Sequence, residues 1–201
     1  TYLREGGGTV TRTKTIPANA RLTINLAGED PSLAAASAAT QVTSDVPIVV
    51  ERAQYWPFDP SQWQEAHGAF GVTETARHWA LAEGRVGGPF GYQSFVLLAN
   101  PGATPANVTL TFLRDQGKAP VVKTVQVLAG ARLTVTTGPG SFVPELVDES
   151  FGVSIVSDRP IVAERAMYGN GWTVGTASEG APVTSQRWMF SEGSTEGGRY
   201  Y

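Results

Sequence analysis

The sequence predicts an all-β protein made of tandem antiparallel β-sandwich repeats of immunoglobulin-like size, the first of them incomplete. Three observations lead to this fold class. Short segments alternate apolar and polar residues and are separated by turn residues, no segment sustains a 3.6-residue period, and the chain of 201 residues repeats itself at a spacing of roughly 110 residues.

The internal repetition rests on four blocks that recur in the same order at nearly constant offsets. The blocks are 1–5 and 111–115 (TYLRE and TFLRD), 20–24 and 131–135 (ARLTI and ARLTV), 44–53 and 157–166 (SDVPIVVERA and SDRPIVAERA), and 79–84 and 188–193 (WALAEG and WMFSEG). Four collinear matches are the signature of a repeat architecture.

The phase of the repeat divides the chain into three parts. Residues 1–77 are predicted to be the later part of one sandwich, 78–185 a complete sandwich, and 186–201 the opening segment of a third. We therefore expect the chain to be a window cut out of phase from a longer string. Because the first unit lacks its opening strands, it should expose a sheet edge, and we expect residues 186–201 of this chain or a neighbour to pack onto it.

Strand signals are clearest in the complete unit. Val108, Leu110 and Phe112 alternate with polar residues, 121–127 continues this pattern, and 92–100 and 159–168 read as longer strands. Further short strands are predicted around Leu133 and Val135 and at 151–155, and a short helix capped by Ser32 or Asp30 at 31–39. About seven strands without crossover helices favour a sandwich, with a barrel as the alternative.

Composition excludes several classes of function. A net charge of −3 without basic clusters argues against nucleic-acid binding, and no apolar run approaches the ~20 residues of a membrane helix. The chain has no cysteine, and its two histidines, His67 and His78, lie at positions occupied by Thr176 and Arg187 in the next repeat, so we expect neither a metal site nor a cofactor. Catalytic motifs are also missing, which predicts a protein that is not an enzyme.

The aromatic residues are candidates for either packing or ligand contact. The pairs Trp79/Trp188 and Trp63/Trp172 recur between units and are interpreted mainly as core or inter-unit anchors. Tyr55, Trp56 and Trp63 are weak candidates for binding a ligand such as a sugar by ring stacking. Trp56 is the better candidate for an exposed contact, because Gly169 takes its place in the later unit.

A recurring Glu-Arg pair lies in an otherwise apolar strand, as Glu51-Arg52 and as Glu164-Arg165. Neighbouring strand residues face opposite sides, so one charge of each pair should point towards the core or a domain seam and need a partner. We hypothesise that Arg165, and Arg52 as its counterpart, are structural inter-unit residues, with Arg165 paired to Glu83 or Glu192 at the junction. The alternative is that these charges are solvated on an open face.

Several motifs together carry a resemblance to a known family. They are the Trp79-x-x-x-Glu-Gly84 motif and the segments 97–102 (LLANPG), 108–112 (VTLTF), 131–135 (ARLTV) and 160–168 (PIVAERAMY). The series resembles the tandem β-rich repeats of large exported proteins of high-GC and related bacteria, often found beside surface or wall-associated modules. Those repeats carry Gly-Gly-His before a Val-Gly, of which 65–68 and 174–177 keep only traces.

The resemblance implies a setting outside the cell and no particular activity. We expect a non-catalytic structural or adhesive module of an extracellular or cell-surface bacterial protein, serving as stalk or spacer. Its partners would be neighbouring repeats of the chain or of other subunits, and cell-surface glycans or proteins. The alternatives are a carbohydrate-binding module that uses surface aromatics and an accessory domain of a large exported enzyme.

Overall fold

The fold, taken from a computed structural model, is described for residues 1–56 and 65–191. Within these residues the regular elements are strands and single 3₁₀ turns, which confirms the all-β prediction. The strands are β1 Tyr2–Arg4, β2 Thr9–Val10, β3 Ala38–Thr40, β4 Glu51–Trp56, β5 Glu65–Phe70, β6 Ala76–Leu81, β7 Gln93–Asn100, β8 Ala106–Arg114, β9 Val121–Val127, β10 Ala131–Thr136, β11 Phe151–Gly169 and β12 Val174–Glu179. The 3₁₀ turns are Leu26–Gly28, Pro31–Leu33, Asp115–Gly117 and Asn170–Trp172.

The long strand β11 organises the largest sheet. Its first half pairs with β8 on one side and β6 on the other, and its second half pairs with β7 and β12. The path continues outwards to β9 beyond β8 and to β10 beyond β7. All of these ladders are antiparallel, as the sequence predicted.

β11 joins two segments predicted as separate strands, 151–155 and 159–168, with the turn-forming residues 157–160 (SDRP) between them. Pro160 lies within it, and the register against β6 shifts between Val156 and Ile161. Proline has no N–H to donate, so a strand accommodates it only where the ladder of main-chain hydrogen bonds is interrupted. The turn-forming residues therefore produce an irregularity at which β11 changes partners, and the chain does not reverse there.

The main core is one cluster of buried side chains, contributed by alternate residues of these strands. The fully buried side chains at its centre include Val96, Leu98, Leu110, Phe112 and Ile155. Trp79 also belongs to it at 3% exposure, and its Nε1 donates to the carbonyl of Ile161 at 3.0 Å. Burying an indole removes roughly 150–250 Å² from water, so this tryptophan is an anchor of the core.

The N-terminal portion forms a small sheet in the order β2-β1-β3. Tyr2, Leu3 and Leu33 are buried there, while residues 11–25 and 41–50 carry no strand and are exposed throughout. The helix expected at 31–39 is a single 3₁₀ turn, and Asp30 caps it by accepting the N–H of Ser32 at 2.9 Å.

Three ladders in the N-terminal portion have the same register as the ladders formed by the matching residues of 78–185. The pairs are Tyr2↔Val10 with Phe112↔Val121, Arg4↔Ala38 with Arg114↔Phe151, and Glu51↔Phe70 with Glu164↔Glu179. In residues 78–185, the segment that matches 41–50 pairs with β6 and β7.

Candidate functional site: the seam beneath the β4–β5 hairpin

The β4–β5 hairpin covers the outer face of the β7, β11 and β12 part of the sheet. The alternation of β7 produces this second apolar face, since Val96 and Leu98 point into the main core while Phe95 and Leu97 point to the other side. We call the resulting cluster the seam, and it consists of Trp56, Phe95, Leu97, Ala166, Tyr168 and Ala177.

Trp56 is the residue that the hairpin contributes to the seam. Its side chain is 8% exposed, its ring meets that of Tyr168 edge to face at 5.4 Å, and its Nε1 donates to the carbonyl of Trp172 at 2.7 Å. A Cβ on Gly175 would lie 2.7 Å from Cζ2 of Trp56, so this close approach requires glycine. The expectation of an exposed contact for Trp56 was wrong, because the sheet face that buries it comes from residues 39 to 121 positions further along the chain.

The remaining aromatic candidates lie in different environments. Tyr55, next to Trp56 on the strand, is 53% exposed, as the alternation of a strand requires. Trp63 lies outside the described residues. Trp172, interpreted above as an anchor, is 47% exposed, and its ring stacks on Tyr168 at 4.4 Å and 21°.

One titratable ring, that of Tyr168, belongs to the seam, and a second, that of His67, lies beside it. Burial raises the pKa of the Tyr168 hydroxyl, which lies 3.5 Å from Nε2 of Gln54. His67 of β5 lies 5.4 Å from the Trp56 ring, and its two buried ring nitrogens have no hydrogen-bond partner among the described residues. Burial, and secondarily the charge of Arg52, lower the pKa of His67, so its neutral form is favoured in the folded hairpin.

The two members of the Glu164-Arg165 pair point to opposite sides of the sheet, as expected for neighbours on a strand. Glu164 lies on the seam side, where its Oε2 is 2.8 Å from Nη1 of Arg52 in the hairpin. Arg165 lies on the other side, where its Nη1 is 2.7 Å from Oε2 of Glu83 and 3.1 Å from the Glu83 carbonyl.

The two ion pairs therefore join different parts of the chain. Arg165 and Glu83 both lie within residues 78–185, so this pair does not join that segment to residues 1–77. The pair that joins the two portions of the chain is Arg52–Glu164, a combination that the sequence analysis did not consider. Glu192 lies outside the described residues.

A second charged contact joins the portions close to the first, since Thr134 and Glu164 both pair with Leu97 of β7. Arg132 of β10 is 8% exposed and donates through Nη1 to Glu5, whose other carboxylate oxygen accepts the N–H of Thr134 at 2.8 Å. Sequence reasoning missed this pair because Arg132 recurs as Arg21, whose side chain is exposed, and nothing in the repeat marks one copy as buried.

An open depression lies beside the seam. It is lined by Tyr92, Phe95, Thr136, Ser141 and neighbouring glycines, and no carboxylate or imidazole is among its lining residues. General acid–base catalysis needs such groups facing a cleft, so this depression offers no catalytic pair.

No group of three or more potential metal ligands is found in residues 1–56 and 65–191. In the same residues, no helix is long and apolar enough to span a bilayer.

Comparison with known proteins assigns no family. No family model and no curated protein matches the chain. Among solved structures, it is similar to the Thermotoga maritima protein 1070, with 18% identity, a TM-score of 0.46 and coverage of 53% of this chain and 94% of that one. It is also similar to the Anabaena sensory rhodopsin transducer, with 26% identity, a TM-score of 0.39 and coverage of 47% and 86%. Likenesses of this size support no argument about activity.

Proposed function

We propose that the chain is a non-catalytic structural repeat module of an extracellular or cell-surface bacterial protein, in which sandwich units stack end to end as a stalk or spacer. The two facing parts of the main sheet, β6/β11/β8/β9 and β10/β7/β11/β12, would form one sandwich around the common core. The observation that carries the proposal is the recurrence of three strand ladders in identical register within the first 77 residues.

The contacts between the two portions support stacking. The seam is apolar at its centre, with Trp56 on one side and Tyr168 on the other, and the Arg52–Glu164 pair lies at its edge. The Glu5–Arg132 contact provides a second attachment point on β10. Two attachments fix the direction of one unit relative to the next, which a spacer needs and a flexibly tethered domain does not.

The test is to lengthen the chain. One, two or three further copies of residues 78–185, inserted in phase between residues 185 and 186, should each increase the maximum dimension by a constant amount in small-angle X-ray scattering. A matched control inserts the same copies after a Gly/Ser linker, which removes the native junction and should give a flexible chain. Insertions that fold into a compact particle without regular elongation would contradict the proposal.

A second candidate, carbohydrate binding, is favoured by one observation. The half-exposed ring of Trp172 lies 6.0 Å from that of Phe95, which also lines the open depression beside hydroxyl-bearing Thr136 and Ser141. Aromatic faces next to hydrogen-bonding groups suit sugar recognition. A glycan array should then show binding that Trp172→Ala abolishes and Tyr55→Ala retains. An array without any bound glycan would reject this candidate.

A further inference from the structure

The chain enters and leaves the main sheet at neighbouring points of β11. The first residue of β6, Ala76, lies opposite Ile161, and the last residue of β12, Glu179, lies opposite Glu164. The two points are three positions apart on β11, a distance of about 10 Å at ~3.3 Å per residue. A pull on the chain at the two ends of residues 76–181 therefore acts first on β6 and β12.

A short bridge joins the entering segment to the leaving segment. The N–H of Ala80 donates to the Ala181 carbonyl at 2.8 Å, and the N–H of Ala181 donates to the Ala80 carbonyl at 2.9 Å. Beside the bridge, the N–H of Gly180 donates to the Ala163 carbonyl at 2.9 Å. These three hydrogen bonds bear the load first, and the Glu179 end of the β12 ladder follows.

The two terminal strands are held very differently. Trp79 and Leu81 of β6 are buried members of the main core, and the Trp79 indole donates to the Ile161 carbonyl. None of the six residues of β12 is buried, and among the described strands only β11 forms a ladder with it. A pull from the Glu179 end breaks the ladder hydrogen bonds of β12 one after another, so this strand yields before β6.

β12 also lies beneath the β4–β5 hairpin. Ala177 is a member of the seam, and Gly175 is the residue at which a Cβ would collide with Trp56. The turn just before β12 supplies the Trp172 carbonyl that accepts the Trp56 indole N–H. Detachment of β12 therefore removes contacts on which docking of the hairpin depends.

We propose that β12 is a tension-release strand: force along the chain detaches it from β11 while the main core stays folded, and its detachment undocks the β4–β5 hairpin. The inference rests on the proposed spacer function, to which it adds a means of lengthening under load. Detachment frees residues 170–182, which is about 45 Å of extended chain at ~3.4 Å per residue. Residues 76–169 stay folded and hold a further length of about 320 Å.

The test is single-molecule stretching of the whole chain between two introduced cysteines, in a sequence that has none of its own. Handles at Thr75→Cys and Thr184→Cys, both at exposed positions outside the strands, place β6 and β12 in the path of the force. The expected trace has a first step of about 45 Å and, at higher force, a second step of about 320 Å. A single step of about 365 Å would overturn the inference.

The matched control moves one handle. In Thr75→Cys combined with Thr173→Cys, the second handle is attached before β12, so that β12 no longer lies in the path of the force. The long step should remain and the step of about 45 Å should be absent. A short step of the same length in this variant would reject β12 as its source.

The coupling to the seam is tested at a fixed loading rate, because forced opening reports a rate of unfolding. Trp56→Ala removes the indole that packs against Tyr168 and Gly175, so the first step should occur at a lower force. An unchanged second step shows that the main core of this variant is folded. Tyr55→Ala, on the other face of β4, should leave both steps as in the wild type. A first step that needs equal force in Trp56→Ala and in the wild type would reject the coupling.

Failure here and failure of the spacer proposal are distinguishable. A trace with one step removes the tension-release strand, while in-phase insertions can still lengthen the particle by constant amounts in scattering. Insertions that do not lengthen the particle reject the spacer, whatever the number of steps in the stretching trace.

Discussion

Matching residues in the two portions of this chain have opposite environments. Ile161, in residues 78–185, is completely buried, whereas its counterpart Ile48 is 41% exposed, although the sequences around them are nearly the same. The difference lies in what surrounds each residue, because Ile161 has β6 and β7 beside it and Ile48 has neither. A local apolar pattern specifies a strand with a face to bury, and a neighbouring segment is needed to bury it.

The largest expected effect comes from the same substitution made in both portions. Ile161→Ala should lower the free energy of unfolding by about 2–5 kcal/mol, because it leaves a cavity in a packed core, whereas Ile48→Ala should cost less than about 0.5 kcal/mol. Urea unfolding of both variants and the wild type measures both values. Equal losses would show that residues 41–50 are covered in solution and would remove the contrast.

Trp56→Ala should have the next largest effect, confined to the seam. Loss of a largely buried indole should reduce the free energy of opening the β4–β5 hairpin by about 3 kcal/mol, at the lower end of the range for tryptophan truncation. Amide hydrogen exchange should become faster in β4 and β5 and stay unchanged in β8, whose side chains lie in the other cluster. Tyr55→Ala is the control, and comparable exchange in both variants would contradict a packing role for Trp56.

Lowering the pH should weaken the seam through His67. Burial lowers the pKa of this imidazole in the folded state, so the open hairpin binds the proton more tightly than the docked one. Stabilisation by the neutral ring is then complete above the unfolded pKa of about 6.5 and is lost as the pH falls below it.

The effect of His67 is measured as amide hydrogen exchange in β4 and β5 between pH 7.5 and 5, corrected for the intrinsic exchange rate. His67→Phe keeps an aromatic ring without a titrating group, so its docking should be independent of pH. His78→Phe, at an exposed position, should behave as the wild type. If hairpin opening in His67→Phe has the same pH dependence as in the wild type, the His67 imidazole is excluded as the cause.

The smallest effect is expected for the Arg52–Glu164 pair. Both side chains are partly exposed, at 43% and 24%, so a double-mutant cycle of Arg52→Ala and Glu164→Ala should give a coupling energy of about 0.2–1 kcal/mol that decreases with added salt. A much larger coupling would mean that the charges, and not the aromatic seam, hold the two portions together.

The candidate site was predictable in part, and the reasons differ from residue to residue. Alternation showed that the two members of Glu164-Arg165 face opposite sides and need partners, and the structure brings Glu83 to Arg165 and Arg52 to Glu164. The partner of Glu164 was missed because it lies 112 residues away on the β4–β5 hairpin, and no local sequence pattern predicts where that hairpin docks. Trp56 was assigned to the surface because its counterpart is a glycine, but Gly169 is itself buried, and a Cβ there would lie 2.6 Å from Cε1 of Tyr92.

The sequence by itself determined the β character of the chain, the spacing of its repeated blocks and the alternation that gives β7 two apolar faces. These properties depend on side-chain order along a backbone with a period of two, so they can be read locally. The tertiary structure alone decided which copy of each repeated residue is buried and which acid pairs with which arginine. It also decided that the chain does not reverse at Pro160, so that β11 is a single strand. Those outcomes depend on neighbours that are distant in the chain, because a side chain is buried only when such neighbours cover it.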